Sequence, residues 1–120
     1  MGVTYVDVKV SSISNGKAVY ALKCLVDTGA TDLLLPAKML KQIGVKPVGK
    51  RRYELADGKI KNFQYGLVKI ELNGELKAAD AIFGPDKSEP RLGVTILESM
   101  GLVVDPRNRK LKKLPSIPLK

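Results

Sequence analysis

Three Asx-Gly dipeptides, Asn15-Gly16, Asp57-Gly58 and Asn73-Gly74, constrain this chain more than any other feature. Such pairs favour the positive φ angles of tight hairpin turns, and each lies between runs of strand-forming residues. Residues 3–10 alternate, with Val6, Val8 and Val10 on one side and Tyr5, Asp7 and Lys9 on the other, a period of two. Asn15-Gly16 leads into the apolar run 18–26, Asp57-Gly58 joins arms 51–56 and 59–65, and Asn73-Gly74 joins 65–72 to 75–83. The pattern predicts an all-β, mostly antiparallel domain. At 120 residues with 44% apolar composition, the chain can bury one modest core.

Two short helices are expected within this frame. Residues 36–44 place Pro36 in a first turn and Gly44 at a stop. Residues 94–101 end on Gly101, with Thr95 as a candidate cap and Glu98 at the capping-box spacing. The order apolar strand, glycine turn, apolar residues, short helix, glycine and β-branched strand occurs around 24–47 and again around 81–106. In this internal repeat Asp27-Thr28-Gly29 is read as the turn of the first copy and Leu92-Gly93 as that of the second.

The residue inventory removes whole classes of chemistry. With no histidine and the single cysteine Cys24, the chain has no Ser-His or Cys-His nucleophile, no histidine-bearing zinc site and no internal disulfide. Cys24 in an apolar strand reads as a core residue. Neither metal nor cofactor is expected. The lone cysteine and the absence of an export signal suggest a reducing, cytoplasmic setting, and no segment suits membrane insertion. Net charge is +9, of which residues 107–120 contribute six basic and no acidic side chains. That stretch reads as a solubilising basic tail outside a domain spanning 1–106, able to add to a dimer interface. No aromatic-basic interleaving supports specific nucleic-acid binding.

One carboxylate stands out. Asp27 follows the apolar Cys24-Leu25-Val26 and precedes Thr28-Gly29-Ala30-Thr31, then Leu33-Leu34-Leu35. Those flanks put it in a turn between core strands, where an ordinary surface aspartate is not placed. Gly29 permits a tight turn whose N–H groups can point at the carboxylate, and Thr28 adds a hydroxyl. Asp32 reads as a turn carboxylate, or alternatively as a grip on substrate backbone. Tyr53 reads as cross-strand packing or as cover for a cleft.

The wider pattern resembles the retropepsin-like, single-lobe aspartic proteases of retroviral type. The resemblance rests on Leu25-Val26-Asp27-Thr28-Gly29-Ala30-Thr31 for the catalytic turn, Asp57-Gly58 for the flap and Leu92-Gly93 before a short helix. It runs from about residue 3 to about residue 105. It implies a closed acid-protease barrel with a flap hairpin and one or two short helices. It implies a homodimer in which Asp27 of each chain forms a dyad sharing one proton, supported by Thr28 and Gly29. A peptide or protein substrate would then contact Leu25, Ala30, Thr31, Asp57, Gly58, Ile82, Val94 and Ile96, with apolar residues flanking the scissile bond. The flap tip Ala56-Asp57-Gly58-Lys59 departs from the pattern by being charged where viral flaps are glycine-rich. Two other functions fit the sequence: a catalytically idle peptide-binding or scaffold dimer of the same fold, and a basic interaction module acting through 107–120.

Overall fold

A computed structural model describes residues 3–14 and 16–119. Among these residues nine strands and two helices follow in the order β1 (Tyr5–Ser12), β2 (Val19–Asp27), β3 (Leu33–Pro36), α1 (Ala37–Gln42), β4 (Gly49–Glu54), β5 (Ile60–Leu72), β6 (Glu75–Gly84), β7 (Arg91–Gly93), α2 (Val94–Ser99), β8 (Leu102–Asp105) and β9 (Lys110–Lys113). Hydrogen bonding runs β1-β2-β7-β3-β6-β5-β4, and a further β1–β5 pairing closes the first six of these strands into a barrel. The fold is all-β and mostly antiparallel, as the hairpins predict, and it closes into the acid-protease barrel that the resemblance implies. Its pairing is antiparallel except for β2–β7 and β3–β6, which run parallel.

The local causes are visible in the chain. Asn73 and Gly74 take φ of 53° and 79°, the doubly positive turn that fits the twist of the β5–β6 hairpin. At the flap tip Gly58 has φ +84°, and Asp57 accepts the Lys59 N–H at 3.0 Å. Asn15 lies outside the described residues, so the turn sought at Asn15-Gly16 is not described; β1 and β2 do pair antiparallel, from Tyr5↔Leu25 to Ser11↔Val19. Along β1 the predicted face is inward, with Val8 and Val10 buried and Val6 half-buried. They meet Cys24, Leu33, Leu35, Val68, Ile70 and Leu92, all fully buried. Each such aliphatic side chain contributes about 1.5–3 kcal/mol by leaving water. Burial also pushes the Cys24 thiol up to about 12, so this cysteine is an inert core group.

Strand β5 holds the flap on the barrel. Its second half pairs with β1 and β6, while its first half runs on past the barrel and pairs with β4 alone. The β4–β5 hairpin is therefore the flap, with Gly49–Glu54 as one arm and residues 60–65 of β5 as the other.

Two details of the sequence reading need correction. Thr95 is not the cap of α2. The helix starts at Val94 with Gly93 in the cap position and no side-chain cap bond, because the Val94 and Thr95 N–H groups donate instead to the carbonyls of Ala30 and Thr31. Leu92-Gly93 is also not the counterpart of the Asp27 turn. In the first copy the order is β2, loop 28–32, β3, α1; in the second it is β6, loop 85–90, β7, α2. Loop 85–90 therefore corresponds to the Asp27 loop, and Leu92-Gly93 ends a strand just ahead of a helix, as Leu35-Pro36 does. The basic stretch beyond residue 106 contains β9, which pairs with β8 and sets Leu111 against the core.

Candidate active site

Asp27 is the last residue of β2, where parallel pairing with β7 sets it opposite Gly93. Its side chain is 30% exposed. The turn that follows folds back on it: Gly29 N–H donates to Asp27 Oδ1 at 3.0 Å, and Ala30 N–H donates to the Asp27 carbonyl at 3.1 Å. One carboxylate oxygen is thus held by the turn's own backbone. The other, Oδ2, lies 3.4 Å from a guanidinium nitrogen of Arg91.

Close crossing of backbones fixes this turn. Residues 30–32 pass directly over Gly93, where an added Cβ would sit 2.5 Å from the Thr31 carbonyl and 2.6 Å from the Asp32 nitrogen. Only glycine fits there. The crossing also supplies the two carbonyls that receive the first N–H groups of α2, so strand end, loop and helix are locked as one unit.

The flap leans onto the same unit. Tyr53, on β4, donates its hydroxyl to Asp32 Oδ2 at 2.6 Å, and its ring meets Phe63 edge-on at 6.1 Å. Burial, then the Asp32 bond, pushes the Tyr53 phenol up to about 12. Arg51 pairs with Asp80 at 2.8 Å, approaches Asp32 at 3.8 Å and stacks 4.0 Å above the Tyr65 ring. Asp32 is thus an anchor for the flap arm, and Tyr53 does both things the sequence allowed, packing across strands and covering the cleft.

Between flap and turn lies a cavity of about 530 Å³. Asp27, Gly29, Ala30, Thr31 and Ile82 line it, and these come from the residues singled out in the sequence. Leu25 and Val94 are half-buried, Thr28 is exposed, and Asp57 and Gly58 are exposed at the flap tip; none of them lines the cavity. Ile96 is 4% exposed and belongs to the core. Sequence reasoning missed Arg91, which the wall shares with Leu34, Phe63 and Arg52. Alternation alone puts Arg91 and Gly93 on one strand face, but that this face meets Asp27 follows from the parallel β2–β7 register, which joins strands far apart in the sequence.

A family model described as Aspartyl protease matches residues 6–97, spanning barrel, turn and flap. The chain belongs to the retropepsin-like aspartyl protease family. Solved structures agree on the fold. A retropepsin-like aspartic protease from Rickettsia conorii is 26% identical, with TM-score 0.62, over 87% of this chain and 77% of that one. The EIAV protease in complex with the inhibitor HBY-793 is 19% identical, TM-score 0.58, over 83% and 89%. The solution structure of the simian foamy virus (mac) protease is 16% identical, TM-score 0.56, over 78% and 91%. No curated protein sequence matches the chain. Among the described residues no helix is long and apolar enough to cross a membrane, and no cluster of three or more histidine, cysteine or acidic side chains could hold a metal ion.

Proposed function

We propose that the chain is an aspartic endopeptidase acting as a homodimer, with Asp27 of each protomer at the two-fold axis. The observation that carries this reading is a carboxylate held by its own turn, facing a cavity beneath a flap, once among the described residues. The corresponding loop of the second copy offers no equivalent, since Asp86 there accepts the Lys38 N–H at the start of α1. A dyad therefore requires a second copy. In the dimer the two carboxylates share one proton. One takes a proton from water, which attacks the scissile carbonyl carbon, while the other donates its proton to the carbonyl oxygen. Thr28, exposed in the single chain, bonds across to the opposite turn, and the termini, including 107–120, add to the interface. An extended peptide lies between flap and turn, held by backbone hydrogen bonds.

Cleavage of a mixed peptide library by the full chain, read by mass spectrometry alongside sedimentation equilibrium, tests this. Hydrolysis by the dimer is expected. A persistent monomer at high micromolar concentration, unchanged by a peptide transition-state mimic, sinks the assembly. The Arg91 contact on Asp27 favours a second reading, an idle peptide-binding dimer of the same fold, and an inactive but dimeric parent would select it.

A further inference from the structure

We infer that Arg91 is a specificity-determining residue that selects an acidic side chain next to the scissile bond. The inference rests on the protease reading and names its substrate class. Its backbone is fixed from both sides, by parallel pairing with Leu25 and antiparallel pairing with Leu34. The side chain is not fixed. It is 50% exposed, and its contact with Asp27, at 3.4 Å, is well beyond the 2.7–2.9 Å typical of a charge-assisted bond.

The contrast with Arg51 is direct. Arg51 is committed to Asp80, Asp32 and the Tyr65 ring, whereas Arg91 has Asp27 as its one carboxylate partner among the described residues. Most of the donor fork of Arg91 is therefore free to meet a ligand in the cavity that it lines. Gly93, two residues on along the same face, has no side chain to block the path. The rim carries mixed charge, with Arg52 and Glu54 on the flap strand, but Glu54 is exposed and Asp32 is occupied by Tyr53.

Geometry places Arg91 against the residues that flank the reacting bond. The attacking water must sit within hydrogen-bond reach of Asp27, and the scissile carbonyl must sit against that water. A guanidinium touching the same carboxylate is thus within side-chain reach of the residue on one side of the bond. In a dimer the second Arg91 serves the other side. A carboxylate offered there can accept two parallel N–H bonds, drawing Arg91 from Asp27 and leaving that oxygen to water. An apolar side chain leaves the guanidinium where it is.

The test uses the full-length protein and peptides identical except for Glu or Gln at the residue before, or the residue after, the scissile bond. The expected kcat/KM favours Glu by about 10- to 100-fold, the size of hydrogen bonds to a charged partner, and the preference weakens with salt. Arg91→Leu should bring the ratio to about one, and Arg91→Lys should leave it between. Equal cleavage of Glu and Gln peptides by the parent overturns the inference and leaves the protease reading intact. So does a common fall for both peptides in Arg91→Leu, which would mark Arg91 as a support for the dyad instead. If the parent cleaves nothing, the protease reading fails, and the inference is still read by binding. Paired hydroxyethylene peptides with Glu or Gln beside the isostere should then differ in Kd by a similar factor, and equal Kd values overturn it.

Discussion

Loops 28–32 and 85–90 stand at corresponding places in the two repeat copies, yet their carboxylates end in different surroundings. Asp27 meets the first loop inside the barrel's mouth, with one oxygen on the Gly29 N–H and the other toward Arg91 and the cavity. In the second loop Asp86 accepts the backbone N–H of Lys38, and Glu89 accepts the Tyr5 hydroxyl. The difference lies in what satisfies the oxygens. A carboxylate that takes an N–H from a helix start is a structural fastener, whereas one held by its own turn keeps an oxygen for chemistry. Among the described residues, that asymmetry leaves one candidate site.

Asp27→Asn should break the comparison most severely. The amide keeps the shape and can still accept from Gly29, but it cannot take a proton from water, so cleavage should fall by about 100- to 10,000-fold. Fold and dimer should survive, because removing two ionisable groups also removes the repulsion between them. Cleavage rate with sedimentation at each pH is the measurement. Undiminished hydrolysis by a folded, contaminant-free variant would falsify the aspartic mechanism.

Gly93→Ala comes next. The new methyl would meet backbone at 2.5 Å, and the crossing segment 30–32 cannot yield without losing the carbonyl bonds to Val94 and Thr95. We expect a loss of about 3 kcal/mol in urea denaturation, at the upper end of overpacking costs, together with loss of cleavage. Gly74→Ala should leave cleavage intact, since its strain is confined to a turn away from the site.

Much of this architecture was legible in the chain because hairpin turns and alternation are local. Asn73-Gly74 and Asp57-Gly58 declare their turns through φ angles that few other residues adopt. Asp27 was legible because apolar flanks and Gly29 leave a carboxylate few other roles. The parallel pairings, the true counterpart of the Asp27 loop and the contact of Arg91 with Asp27 were not. Each depends on strands far apart in sequence: Leu25 and Arg91 are neighbours only because β7 inserts between β2 and β3. The cap of α2 was misread for the same reason. Thr95 and Glu98 have the local spacing, but the distant carbonyls of Ala30 and Thr31 take the Val94 and Thr95 N–H groups, so the helix starts at Val94 and Thr95 lies inside it.

Tyr53→Phe tests whether the flap is tied to the first loop. Losing the 2.6 Å bond to Asp32 leaves a half-buried carboxylate short of a donor, and about 1–2 kcal/mol of stability should go with it. The pH signature is distinct. The phenol's pKa is raised from 10.0 to about 12 in the fold, so its contribution is fully present below pH 10 and is lost as pH rises through about 12. Denaturation midpoints of parent and variant should therefore converge over that window. A constant gap across it would mean that the hydroxyl contributes nothing to the pH dependence.

Asp86→Ala should have the smallest effect, and it bears most directly on the contrast between the loops. The Lys38 N–H is one of the donors at the start of α1 that no turn of the helix can satisfy, and the helix has no side-chain cap of its own at Pro36. Removing the acceptor should cost about 0.5–1 kcal/mol, the lower part of the range for helix-start acceptors, because the site is exposed and water replaces the lost oxygen. Asp86→Asn should recover most of that loss, since an amide oxygen still accepts. Cleavage should be unchanged in both variants, because loop 85–90 contributes no side chain to the cavity around Asp27. If kcat fell by as much for Asp86→Ala as for Asp27→Asn, with the fold intact by circular dichroism, the second loop would belong to the catalytic centre and the asymmetry between the two copies would be wrong.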